Sequence, residues 1–207
     1  MKRVLPGEPI PADADEVVLA PGVHHGSLEI ERSLVLRGEP GAILDGGARG
    51  WTVLIQADEA TVRIEGLTLR NGHAEAGANL YVNGWSEVEL VDCRFEDGRA
   101  PGGGGAGAWI AAGRVSFRDC SFSGNRARWG GDLVATGAAE VSAEGTRFAG
   151  DVAAREGALL SLSHCRVEGR LDLRGTTTRA PEVSLRATEV AALVNDRDLP
   201  GTLTIQD

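Results

Sequence analysis

A short pattern of alternating apolar residues recurs six times in this chain, and it constrains the fold more than any other feature. The copies begin at Val62, Val88, Val115, Val141, Leu160 and Val183, in steps of 26, 27, 26, 19 and 23 residues. Each reads apolar, polar, apolar, a polar corner, a small residue, polar, apolar. Val88-Glu89-Leu90-Val91-Asp92-Cys93-Arg94-Phe95 and Val115-Ser116-Phe117-Arg118-Asp119-Cys120-Ser121-Phe122 are two examples. Alternation within a copy is the signature of a strand, and self-similarity at this period is the signature of a solenoid. Uneven steps follow when strands stay fixed and corner loops vary in length.

The third residue of each copy (Ile64, Leu90, Phe117, Ala143, Leu162, Leu185) and the eighth (Leu69, Phe95, Phe122, Phe148, Val167, Val190) are also apolar. With alternation, these columns face inward and stack coil on coil. A second strand precedes the middle copies, at 51–55, 79–83, 108–112 and 132–136. The expected fold is all-β, a single-stranded right-handed parallel β-helix of about seven coils. It spans 15–207, behind an irregular or capping segment at 1–14. The tail 199–205 is expected to add a last strand.

The stretch Ala20-Pro21-Gly22-Val23-His24-His25-Gly26-Ser27-Leu28-Glu29-Ile30, with Leu34-Val35-Leu36-Arg37-Gly38 and Ile43-Leu44-Asp45-Gly46-Gly47, resembles the opening coils of the pectin-lyase-like superfamily, in its carbohydrate-binding and sugar-hydrolase branch. Residues 107–137 are similar to the repeat of polymorphic outer-membrane proteins. The resemblance implies the β-helix and a history of polysaccharide chemistry. It is carried by core and corner residues. The chain has no Asn-Thr-Asp, Asp-Asp or Gly-His-Gly, which polygalacturonase-like members carry, and no Arg-x-Pro-x-x-Arg of the pectate-lyase kind.

Charge narrows the partners. With 21 Lys and Arg against 30 Asp and Glu, the formal net charge is -9. That field repels phosphate backbones, so no nucleic-acid partner is expected. No apolar run has the length of a signal peptide or a membrane span, so membrane insertion is not expected and the default location is cytoplasmic. A leader removed beforehand would instead make the protein secreted or surface-bound. The run Gly102 to Gly105 lacks the Lys and Ser or Thr of a phosphate loop. It reads as a flexible corner insertion, and no cofactor is expected.

Three groups of residues are candidates for function. Asp92 and Asp119 share a column beside Arg118. If the chain is an enzyme, these three would be its catalytic set, and the two carboxylates are also weak calcium candidates. The bland reading is that each Asp shapes its own corner. Cys93, Cys120 and Cys165 fall in one column with Leu67, Thr146 and Thr188 and read as small inward residues. His24, His25 and His73 read as solvated loop residues.

The third group is a stripe on the outward side of the preceding strand. If Val53, Leu80, Trp109 and Leu133 point inward, then Leu54, Tyr81, Ile110 and Val134 point out. Such a stripe on an exposed sheet suggests a contact surface, unless a corner loop covers it. Trp85, Arg126, Arg128 and Trp129 would form its rim. The expected function is a non-catalytic binding or scaffold module that docks a protein partner or a second copy of itself. The alternative is a β-helix that binds or cleaves a polysaccharide.

Overall fold

A computed structural model shows a right-handed parallel β-helix. It describes residues 1–174, 179–195 and 202–206. The inner coils carry strand segments in three directions, so the rod has three faces.

On the first face ten described strands stack in register, from Lys2–Val4 and Glu16–Leu19 through Thr61–Glu65 and Glu87–Val91 to Glu182–Arg186 and Thr202–Gln206. The ladder is therefore deeper than seven coils. The segment 1–14 is not wholly irregular: Lys2–Val4 pairs with Val17–Leu19 and buries Val4 in the core. The tail strand forms as Thr202–Gln206, while Leu199, Pro200 and Gly201 lie outside the described residues.

The inward columns are those the repeat implies. Ile64, Leu90, Phe117, Ala143, Leu162 and Leu185 follow one another across consecutive rungs of the first face. The second face stacks Leu69, Phe95, Phe122, Phe148 and Val167. Phe95 lies on Phe122 with ring centroids 4.4 Å apart, and Phe122 on Phe148 at 4.9 Å. Phe117 meets Phe95 and Phe122 edge-on. In-register stacking forces identical positions together, so a phenylalanine column becomes a continuous aromatic spine. Each such pair contributes about 0.5–1.5 kcal/mol beyond burial.

The corners explain the polar columns. Gly66, Asp92, Asp119, Gly145, His164 and Ala187 all have φ between 43° and 67°. Left-handed backbone is costly for most residues, and Asp tolerates it better than most. Asp92 and Asp119 thus stand where other coils use glycine, as corner formers. In the next column the thiols of Cys93, Cys120 and Cys165 each donate to the carbonyl two residues back, at 3.2–3.4 Å. Thr146 and Thr188 make the same bond through their hydroxyls. The three cysteines are buried, free and interchangeable with threonine here. Burial pushes the Cys165 thiol up.

A second corner, between the second and third faces, buries a polar chain. Asn79 Nδ2 donates to Asn125 Oδ1 at 3.1 Å, and Asn125 Nδ2 donates to Asp132 Oδ1 at 3.0 Å. The backbone N–H of Gly150 closes on Asp132 Oδ2. Burial pushes the Asp132 carboxyl up. These groups satisfy one another away from water, which is what such a chain needs to be stable.

His24 is a correction to the sequence reading. It is 3% exposed and occupies the first rung of the Leu44–Leu69 column, with Nε2 donating to the Ala20 carbonyl at 2.9 Å. His25 and His73 are exposed as expected.

Candidate functional site: an aromatic and arginine cleft on the third face

The third face stacks Leu28–Ile30, Val53–Ile55, Leu80–Val82, the start of Ala108–Arg118, the start of Leu133–Glu144 and Val152–Ala154. Its outward column is Leu54, Tyr81, Trp109, Val134 and Ala153. Ile110 is not part of it. Ile110 pairs with Val82 and Ala135, points inward and is fully buried. The cause is a bulge on the neighbouring strand: Ile110 pairs with Ala135 but Ala112 with Ala138, so the extra residue lies on Leu133–Glu144 and Gly113 pairs with Ala139 rather than standing level with Gly137. Counting back from Gly84, Gly113 and Gly137 therefore slips by one in this coil, and a slip of one swaps inside for outside. Counting forward succeeds. Gly77, Gly105 and Gly130, all with φ of 53–60°, each stand three residues before the first inward residue, Leu80, Ala108 or Leu133. Trp109, absent from the sequence-level rim, could have been found that way.

The stripe is also less open than its sequence suggests. Loops from the second corner fold back over it. Two of them form a small parallel ribbon, Arg99–Gly104 beside Arg126–Trp129. The glycine run lies largely within this ribbon and is a strand, not a flexible insertion. A side chain at Gly104 would stand 2.9 Å from the Trp129 ring, so the glycine lets the tryptophan lie flat on the strand. Gly130 packs on Val134, where a Cβ would meet Cγ2 at 2.5 Å. Trp51 Nε1 donates to the Ala76 carbonyl at 2.8 Å and its ring meets Tyr81 at 5.6 Å, which ties the 71–78 loop over Leu54. Leu54 and Val134 are consequently 6% and 0% exposed. They are core of a second layer, and a partner cannot dock on them.

What stays open is the middle of the face. Tyr81, Trp109 and Trp129 are half-buried and line a cleft of about 930 Å³ with Arg128, Thr136, Arg155, Glu156 and Arg174. Trp109 and Trp129 meet at 5.1 Å with planes tilted 62°. Arg155 lies 5.5 Å from the Trp129 ring centre on the cleft wall. It is 6% exposed and held by Asp172, with Nη2 donating to Oδ2 at 2.7 Å. Arg174 donates to the same carboxylate, also at 2.7 Å. Burial opposes ionisation of Asp172, but the hydrogen bonds from Arg174 and Arg155 hold it well below the usual carboxylate range. The wall is therefore a fixed guanidinium–carboxylate–guanidinium unit with a net positive charge. Arg155, Arg174 and Glu156 carry no repeat signature, and the sequence pattern does not single them out.

The other candidate residues lie elsewhere. Trp85 is 67% exposed, but it sits past the turn at Gly84, over a separate hollow with Gly113, Arg114 and Glu140. Arg126 is exposed on the ribbon, beside the cleft rather than lining it. Asp92, Asp119 and Arg118 lie at the exposed corner beside the first face, on the far side of that turn from the cleft. Arg118 pairs with Glu89 at 3.3 Å rather than with either aspartate. Among the described residues no group of three His, Cys, Asp or Glu could hold a metal ion.

No protein-family model matches the sequence, and no curated protein matches it. Among solved structures, the chain is similar to a pectin methylesterase determined in complex with hexasaccharide VII. The two share 16% sequence identity with a TM-score of 0.52, over 91% of this chain and 74% of that one. The likeness is one of fold, the pectin-lyase-like parallel β-helix.

Proposed function

We propose that this β-helix binds an oligosaccharide in the third-face cleft. One observation carries the reading: Tyr81, Trp109 and Trp129 stand half-exposed around one open cleft whose polar groups are arginines, a threonine and a glutamate. Sugar rings present an apolar face and a polar edge, and they bind where aromatic planes alternate with fixed hydrogen-bond donors. The β-helix fold, shared with a protein solved with a hexasaccharide, supports a glycan over the protein partner first expected for this surface. So does the burial of Leu54 and Val134, because it removes most of the flat apolar stripe that a protein interface would use.

Binding without cleavage is the form of the reading we favour. Glycoside cleavage takes two carboxyl groups converging on one bond. In this cleft Asp172 is locked between two arginines, and Glu156 accepts from Thr136 Oγ1 at 3.2 Å. The test is binding of neutral and acidic oligosaccharides by calorimetry, with end-group assays run alongside. Trp109→Ala is expected to weaken binding about tenfold or more, the effect of one lost stacking contact. Equal binding by Trp109→Ala and the parent would remove the cleft from the reading. New chain ends would convert the binder into an enzyme.

A further inference from the structure

The arginines of this chain are unevenly partnered. Along the first face they pair with glutamates, across rungs for Arg37 with Glu16 and Glu65, Arg63 with Glu89 and Arg114 with Glu140, and within one strand for Arg63 with Glu65. On the ribbon they do not. Arg99 lies directly opposite Arg126, and His73 precedes Arg99 in the same column. Arg128 points the same way as Arg126, two residues along the strand, and both are exposed while Ala100 and Ala127 turn inward. Arg99, Arg126 and Arg128 form no ion pair among the described residues. Glu75, packed along Gly102 on the neighbouring loop, does not pair with them.

Like charges directly opposite on adjacent strands destabilise a sheet. A chain of net charge -9 has ample carboxylates to neutralise them, yet none of those described, Glu75 included, forms an ion pair with these arginines. Gly102 leaves bare backbone beside the arginines, where an added Cβ would meet nothing closer than 3.9 Å. Arg128 is shared with the cleft, so ridge and cleft are continuous.

From this we infer that the ribbon is an anion ridge that reads acidic groups on a glycan running along the rod axis. The inference rests on the glycan reading and specifies its substrate class. The arginine column repeats at the rung spacing of about 4.8 Å, close to the length of one sugar unit, so successive residues of an extended chain can each present an oxyanion to it. Guanidinium takes carboxylate and sulfate ester with the same paired geometry. The source of the oxyanion is therefore left to the test.

The experiment compares one oligosaccharide backbone in neutral, carboxylated and sulfated forms, plus poly-glutamate, at low and high salt. The proteins are the parent, Arg99→Gln with Arg126→Gln, and Trp109→Ala. A melting temperature at or above the parent's shows that the double arginine variant folds, since it removes two opposed like charges. The acidic forms should bind the parent about tenfold tighter than the neutral form, an advantage expected from two or three exposed charge pairs and lost at high salt. The double arginine variant should lose that advantage while keeping its neutral binding. Whichever acidic form binds tighter names the oxyanion. Equal binding of neutral and acidic forms, with no effect of the arginines, overturns the ridge and leaves the cleft reading standing. Capture of poly-glutamate as tightly as the acidic sugar overturns the glycan source. No binding by any sugar overturns both.

Discussion

The outer surfaces of the first and third faces are built on the same coils, yet they end up with opposite chemistry. On the first face the outward positions stay partly or fully exposed. Its outward positions are neutralised locally, by the chain of ion pairs from Glu16 through Arg37, Glu65, Arg63 and Glu89 to Arg118. Further along they become a hydroxyl column, Ser116, Ser142, Ser161, Ser184 and Thr204. On the third face the loops supply a second layer. Apolar outward residues become buried, aromatic rings are held at fixed angles, and the arginines on the covering ribbon form no ion pair among the described residues. A solenoid sheet facing water spends its charges on itself. One with a ribbon over it can hold charges and rings ready for a ligand. The groove over the hydroxyl column, lined also by Leu159 and Glu182, holds about 340 Å³ and has no aromatic wall.

This contrast can be broken most severely at the buried pair behind the cleft. Arg155→Ala leaves Asp172 buried with Arg174 alone, and removing one partner of a buried pair costs about 3–5 kcal/mol. Chemical denaturation is expected to show that loss, together with loss of glycan binding. The Asp172 carboxyl sits below its unfolded pKa of about 3.9, so its contribution is present above that pH and fades as pH falls through the folded value. The stability gap between the parent and Asp172→Asn should therefore narrow below about pH 4. A gap that stays constant down to acid would mean the pair does not titrate with folding.

A smaller effect comes from the ribbon. Gly104→Val places a branched side chain where Trp129 lies and should cost about 1–3 kcal/mol by overpacking. It should also displace Trp129, which tryptophan fluorescence with a quencher would report as greater exposure. Unchanged fluorescence would mean the ring is held from elsewhere. The smallest effect belongs to the first face. Arg114→Ala breaks an ion pair whose side chains are 68% and 51% exposed, and it should cost no more than about 1 kcal/mol. A cost as large as that of Arg155→Ala would erase the distinction between the two faces.

Much of the fold was legible in the sequence because in-register stacking writes each column out several times. The Phe95–Phe122–Phe148 spine, the cysteine and threonine column and the Asp92 and Asp119 corners are all readable from the repeat alone. The site was less legible. Tyr81, Arg128 and Trp129 are visible as unusual outward or loop residues, but Ile110 takes the place of Trp109 in the repeat because Gly113 is out of step with Gly137, where the neighbouring strand bulges. Leu54 and Val134 looked exposed because alternation reports which side of a sheet a residue faces, not what lies above it. Arg155, Asp172 and Arg174 could not be found, since their meaning comes from meeting one another across coils that share no motif.

The coil, its inward columns and its corners are dictated locally, because they depend on alternation along each strand and on backbone conformations that few residues tolerate. Which outward residues see solvent is set by packing between coils. That depends on where loops 71–78, 98–107 and 124–132 fold back, and packing of Trp51, Gly104 and Gly130 against distant coils sets it. The local pattern contains no record of those contacts.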